Sequence, residues 1–191
     1  TILTLLILIQ TAFAGEAKPC IYLPVDELEP IQVDNCIDFV EWQKRPNNSD
    51  ALITKYVAMT ATYDSDDIAY LSSEFGHFYF LESGLARKTI YYDNGPDYFQ
   101  EGFARTSWNG KIGFIDKKLT IIIPPSYDFA FPFQDGVSLV CNGCKQQADG
   151  EHTEMVGGKW GFINMSGNVV IPISYSKQAA IEVLNEAKHR D

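Results

Sequence analysis

Between residues 99 and 175, apolar and polar positions alternate in short runs separated by paired turn residues. Phe103-Ala104-Arg105-Thr106-Ser107-Trp108 reads as a strand and Asn109-Gly110 as a two-residue hairpin turn. Lys111 to Asp116 then returns as a second strand, with apolar residues alternating at period two. Lys117-Lys118 makes a loop, and the β-branched run from Leu119 to Ile123 suits a third strand. Pro124-Pro125 is expected to end the ladder, because neither residue can donate a backbone hydrogen bond. The unit is a three-stranded antiparallel meander of about 34 residues. One such unit cannot bury its own apolar face, so neighbours must stack on it.

The blocks recur along the chain. Phe99-Gln100-Glu101-Gly102-Phe103-Ala104 returns as Phe133-Gln134-Asp135-Gly136-Val137-Ser138, an offset of 34. Asn109 to Asp116 returns as Gly157 to Asn164, and Ile121 to Tyr127 as Val169 to Tyr175, both at an offset of 48. The difference, 48 − 34 = 14, is the length of an insert between Gly136 and Gly158 that contains a C-x-x-C. A fainter copy, Gly76 to Gly84, is placed 34 residues before Gly110. At the C-terminus, Ala179, Ala180, Val183, Leu184 and Ala187 fall at helical spacing after the N-cap candidate Ser176. This predicts a helix over the open end of the stack. Ile37 to Trp42 and Leu52 to Met59 fit helix or strand equally.

The expected fold is mainly β: tandem antiparallel β-meander repeats stacked side by side, with a C-terminal α-helix and a mixed N-terminal region. Its divisions are an N-terminal region at 15–66, repeats at about 67–98 (degenerate), 99–132 and 133–176 (with the insert), and a helix at 177–191.

Lys159-Trp160-Gly161-Phe162-Ile163, followed by Gly167 and Val169-Val170-Ile171-Pro172, resembles the signature of the WG-repeat family of bacterial proteins, also called KWG repeats. Gly110, Lys111, Gly113 and Phe114 carry the same signature in the earlier copy, which departs from it at Ile112 (usually Trp) and Leu119 (usually Gly). Asp93 to Phe99 and Cys141-Asn142-Gly143-Cys144 look like an exported subgroup of that family. The resemblance runs from Asp97 to Tyr175. It implies a repeat unit and an interaction module, and no established reaction.

Composition narrows the function classes. Of 191 residues, 46% are hydrophobic and 13% aromatic, which excludes an intrinsically disordered chain. With 25 acidic against 15 basic side chains the net charge is −10, which repels phosphate backbones and argues against a nucleic-acid partner. Ile2 to Ile9 is a short apolar run followed by Ala12-Phe13-Ala14, the A-x-A pattern of a signal-peptidase site. Residues 1–14 are therefore expected to be a cleaved export signal, and the mature chain, from about Gly15, to be periplasmic or secreted. That run falls short of the roughly 20 residues that span a bilayer, and no later segment is long and apolar enough to do so.

Export bears on the cysteines. An even number in an oxidising compartment suggests disulfides. Spacing favours Cys20 with Cys36 and Cys141 with Cys144. Cys141 and Cys144 bracket Asn142-Gly143, a preferred centre of a type I′ hairpin turn, which would set the thiols facing each other. Three readings stay open for this pair: a local staple, a metal half-site with His152 as the one further ligand near in sequence, or a redox-active pair.

No nucleophile elbow, zincin motif, phosphate loop or dinucleotide fingerprint is present. His77, His152 and His189 are scattered, and Asp64, Asp66 and Asp67 lack the turn Gly and terminal Glu of a calcium loop. Phe114, Trp160 and Phe162 sit at core-facing repeat positions. The sequence thus points to a non-catalytic, cofactor-free exported protein presenting a β-surface to a protein or glycan of the cell envelope. The alternative is a metal- or thiol-dependent periplasmic activity centred on the insert.

Overall fold

Paired turn residues set the architecture, because a residue that tolerates a left-handed backbone lets a strand fold straight back on its predecessor. A computed structural model of the chain describes residues 19–37, 50–92, 95–149 and 152–189. The expected export signal and most of the segment from Ile37 to Trp42 lie outside those residues.

The N-terminal half builds one antiparallel sheet from β1 (Pro19–Tyr22), β2 (Ile31–Asp34), β3 (Asp50–Leu52), β4 (Ala69–Ser73), β5 (Gly76–Phe80) and β6 (Leu85–Thr89), in the order β2-β1-β4-β5-β6-β3. A short helix, α1 (Lys55–Thr60), follows β3, so the stretch from Leu52 to Met59 is the end of a strand and then a helix. The sulfurs of Cys20, on β1, and Cys36, just after β2, lie at bonding distance with their Cα atoms 6.1 Å apart. Both are buried in a core with Tyr22, Ile53, Leu71, Phe78 and Phe80.

After the short ladder of β7 (Tyr91–Tyr92) and β8 (Gly95–Pro96), β9 (Phe103–Trp108), β10 (Lys111–Asp116) and β11 (Ile121–Tyr127) form a three-stranded antiparallel meander. Asn109 and Gly110, at φ 48° and 74°, close its first turn, as the Asn-Gly pair predicts. β12 (Phe129–Ala130), β13 (Val137–Asp149), β14 (His152–Asn164) and β15 (Val169–Tyr175) form the next sheet, and α2 (Lys177–Lys188) packs against β14 and β15. The Ser176 hydroxyl caps α2 by accepting from the Ala179 N–H at 3.2 Å. The protein is mainly β with antiparallel sheets and a C-terminal helix, as the alternation and helical spacing predict. Among the described residues no helix is long and apolar enough to cross a membrane.

Apolar seams join successive units. Ile68 and Tyr79 pack with Ala104, Ile115 and Leu119 at one seam, and Phe114, Ile123 and Tyr127 pack with Phe133, Val140 and Ile163 at the next. Phe133 lies 5.2 Å from Phe103 and 4.6 Å from Phe114, ring centre to ring centre. The repeated turns also meet. The Glu101 carboxylate accepts from the Asp135 and Gly136 N–H groups at 2.8 and 3.0 Å, so two equivalent positions stack directly.

Three expectations change. Pro124-Pro125 does not end the ladder, since β11 continues to Tyr127, which pairs with Ile112. The register shifts around Gly113, and the prolines lie in that irregular stretch where a missing N–H leaves no ladder bond unmade. A Cβ on Gly113 would meet Ile123 O at 2.3 Å, and one on Gly161 would meet Ile171 O at 2.5 Å, so glycine is what lets the bulged strand approach. In the degenerate copy, strand pairing matches Gly76 to Lys111, because each follows a two-residue turn (Gly76↔Ser73, Lys111↔Trp108), so the offset there is 35. Phe78 then stands where Gly113 does, and its strand pair runs without a bulge.

The third change concerns the insert. Asn142-Gly143 is not a hairpin turn. β13 and β14 keep one register from Val137↔Asn164 to Asp149↔His152, passing over Gly143 and Gly158, so the insert lengthens the hairpin.

Candidate functional site

The lengthened hairpin rises beside β7 and β12 and walls a cleft of about 1030 Å³. Strand alternation and register explain which side chains face it. Gln146 stands opposite Met155, and Thr153 opposite Ala148, so Cys144, Gln146, Met155 and Thr153 share one face. All four line the cleft. The opposite wall carries Tyr91 and Tyr92, and Phe129 and Phe131 form the floor.

A buried ion pair holds the tyrosine wall. Arg105 and Asp97 are almost fully buried, with Arg105 Nη2 to Asp97 Oδ1 at 2.5 Å and Nε to Oδ2 at 3.0 Å. Asp97 Oδ2 also accepts from the Arg105 backbone N–H at 2.7 Å, and Arg105 Nη1 donates to Ala130 O at 3.0 Å. Every nitrogen of the guanidinium is thus engaged, which is the condition for burying a charge at tolerable cost. Its flat face lies 4.8 Å from the ring centre of Tyr92. Tyr92 is therefore backed on one side and half-exposed on the other. Tyr91 instead packs on His77 with ring centres 4.5 Å apart, and Tyr70 Oη lies 2.5 Å from His77 Nδ1. Burial, with Lys88 nearby, holds the His77 pKa below its ordinary value. Burial and then Asp97 push the Tyr79 phenol, which donates to Asp97 O, above its ordinary value.

The C-x-x-C lies mid-strand at the base of the wall. Its sulfurs are at bonding distance and the two Cα atoms are 6.1 Å apart. Residues three apart in a regular strand are separated by about 10 Å. The contraction occurs at Gly143, whose φ is 79°, and the facing Gly157 and Gly158 are both at 68°. A Cβ on Gly158 would meet Cys144 N at 2.4 Å and Cys141 Sγ at 2.7 Å. The glycine pair thus serves the cysteine kink, and no turn occurs there. Trp160 locks the facing strand by donating from Nε1 to Gly157 O at 2.7 Å. Asp128 reaches across: Oδ2 accepts from the Gly143 N–H and Oδ1 from Lys111 Nζ, each at 2.6 Å. Lys111, and then the Gly143 amide, hold the Asp128 carboxyl below its usual pKa.

The signature residues divide accordingly. Phe114, Trp160 and Phe162 are buried, Gly113 and Gly161 sit under the bulges, Gly110 closes a turn, and Lys111 binds Asp128. Lys159 is exposed on β14. Trp160 faces Phe129 and Phe131, with Lys177 Nζ 5.6 Å from its ring centre. Cys141 and Cys144 join that same apolar cluster. The side chain of His152, the third candidate ligand, is outside the described residues. Among the described residues no group of three or more His, Cys, Asp or Glu side chains is placed to hold a metal ion.

Arg105, Asp128 and Tyr92 carry no sequence motif, Asp97 lies in the Asp93–Phe99 stretch without a role assigned to it there, and the roles of all four arise from packing between units. The single cue available was a charged Arg105 inside a strand otherwise made of apolar and small polar residues.

A family described as WG containing repeat matches residues 112–145 and 160–177. The matched segments run from β10 through β11 and β12 into the first part of β13, and from the last part of β14 through β15 to the start of α2. No curated protein and no solved structure matches the chain.

Proposed function

We propose that this chain is an exported, non-catalytic WG-repeat protein whose stacked β-units form a binding module, and that the cleft walled by the C-x-x-C insert is its binding surface. The observation that carries this reading is the use made of the insert. Residues added to a complete repeat extend one hairpin outward, and their one face lines a cleft with an aromatic floor. A concave site where aromatic rings meet several polar side chains suits a ligand that is itself both polar and apolar. The apolar run with Ala12-Phe13-Ala14, and four cysteines in two bonded pairs, support export to an oxidising compartment. The partner is then a protein or glycan of the cell envelope.

Site-directed photocrosslinking tests the surface. A crosslinking residue at Gln146, on the cleft wall, should give adducts in native envelope fractions. The same residue at Val169, exposed on β15, should give none. Equal labelling at both positions, or labelling at Val169 alone, would place the binding surface elsewhere.

A further inference from the structure

We infer that the cleft is built for a neutral oligosaccharide, an inference that rests on the binding-module reading above. Charge comes first. The charged residues lining the cleft are Arg105, Asp128, Glu154 and Lys177. Each lies within 4.0 Å of an opposite charge: Arg105 with Asp97, Asp128 with Lys111, and Glu154 with Lys177. In a chain of net charge −10, this surface is locally balanced. A charged ligand finds no unpaired counter-charge among these lining groups, whereas a neutral hydroxylated ligand can bond to carboxylate, ammonium and amide as they stand.

The aromatic groups point the same way. Tyr92 presents one open face, and Arg105 behind it backs the ring while its Nε, Nη1 and Nη2 each bond to Asp97 or Ala130. An aromatic face carries negative charge density and suits the weakly positive C–H edge of a pyranose ring. Phe129 and Phe131 continue the apolar surface, while Gln146 and Thr153 supply neutral donors and acceptors above it. A peptide adding a strand to β12 meets an obstacle, because Arg105 already occupies Ala130 O. The amide of Gln146, the hydroxyl of Thr153 and the Tyr92 ring together form the kind of neutral polar rim around a stacking platform that sugars require.

Calorimetric titration of the oxidised full chain with cellotetraose, maltotetraose and chitotetraose, and with tetragalacturonate as the acidic counterpart, tests the inference. At least one neutral tetrasaccharide should bind. Tyr92→Ala should weaken it at least about fivefold, the scale of one lost aromatic contact. Tyr92→Phe should keep affinity within about twofold, since it keeps the ring face. Circular dichroism of both variants should match the parent, because Tyr92 is half-exposed. The inference is overturned if no neutral tetrasaccharide binds, if Tyr92→Ala leaves binding unchanged, or if tetragalacturonate binds best. Polypeptide adducts at Gln146 alongside such a result would retain the cleft as the binding surface and reject the sugar alone.

Discussion

Trp160 shows how much one side chain holds. It is 1% exposed, contacts Phe129 and Phe131, and donates to Gly157 O across the kink. Trp160→Ala should therefore cost about 3–5 kcal/mol, read from urea unfolding. A loss below about 1 kcal/mol would mean the ring is exposed. Gly161 makes a second case. A methyl there runs into the backbone of β15, so Gly161→Ala should cost about 1–3 kcal/mol by overpacking. Gly95→Ala, where nothing lies within 4 Å of the added carbon, should be close to neutral. Asp128 supplies a pH signature. A carboxyl held low in the folded state adds stability above its unfolded pKa of about 3.9, and loses it as pH falls through the lower folded value. The stability gap between the parent and Asp128→Asn should thus be full at neutral pH and close below about pH 4, as followed by thermal melts.

At the scale of elements, the two disulfides should differ in worth. Cys20–Cys36 closes a loop of 16 residues and Cys141–Cys144 a loop of three. Chain entropy assigns about 3 kcal/mol to the first and about half that to the second. Unfolding of the Cys20→Ser and Cys144→Ser chains should rank them in that order. Reduction of the intact protein should add about 4 Da, two hydrogens per bond.

The meander of β9 to β11 was legible because Asn109-Gly110 and period-two alternation are local signals, and α2 because Ser176 and five apolar residues at helical spacing agree. The bulge was not legible. Pro124-Pro125 reads as a strand end unless Gly113 opposite is known to make room, and that pairing is a tertiary fact. Asn142-Gly143 misled for the same reason: the dipeptide favours positive φ, which Gly143 adopts, yet the strand continues because Gly157 and Gly158 yield on the other side. The aromatic floor and the Asp97–Arg105 pair join segments from different units, so no local pattern announced the cleft.

In the whole molecule, the seams between units carry the fold and the lengthened hairpin stands outside them. Phe114, Phe133, Val140 and Ile163 close one seam, whereas residues 145–148 and 153–154 are exposed. The hairpin's share of the binding surface is therefore separable from the fold. The most direct measurement compares the full chain with one in which residues 145–156 are replaced by an Asn-Gly turn, by quantifying how much of each folded protein is retained on native envelope fractions. The shortened chain should keep its β circular dichroism and no longer be retained. Retention equal to that of the full chain, by a correctly folded shortened protein, would contradict the hairpin's share in binding.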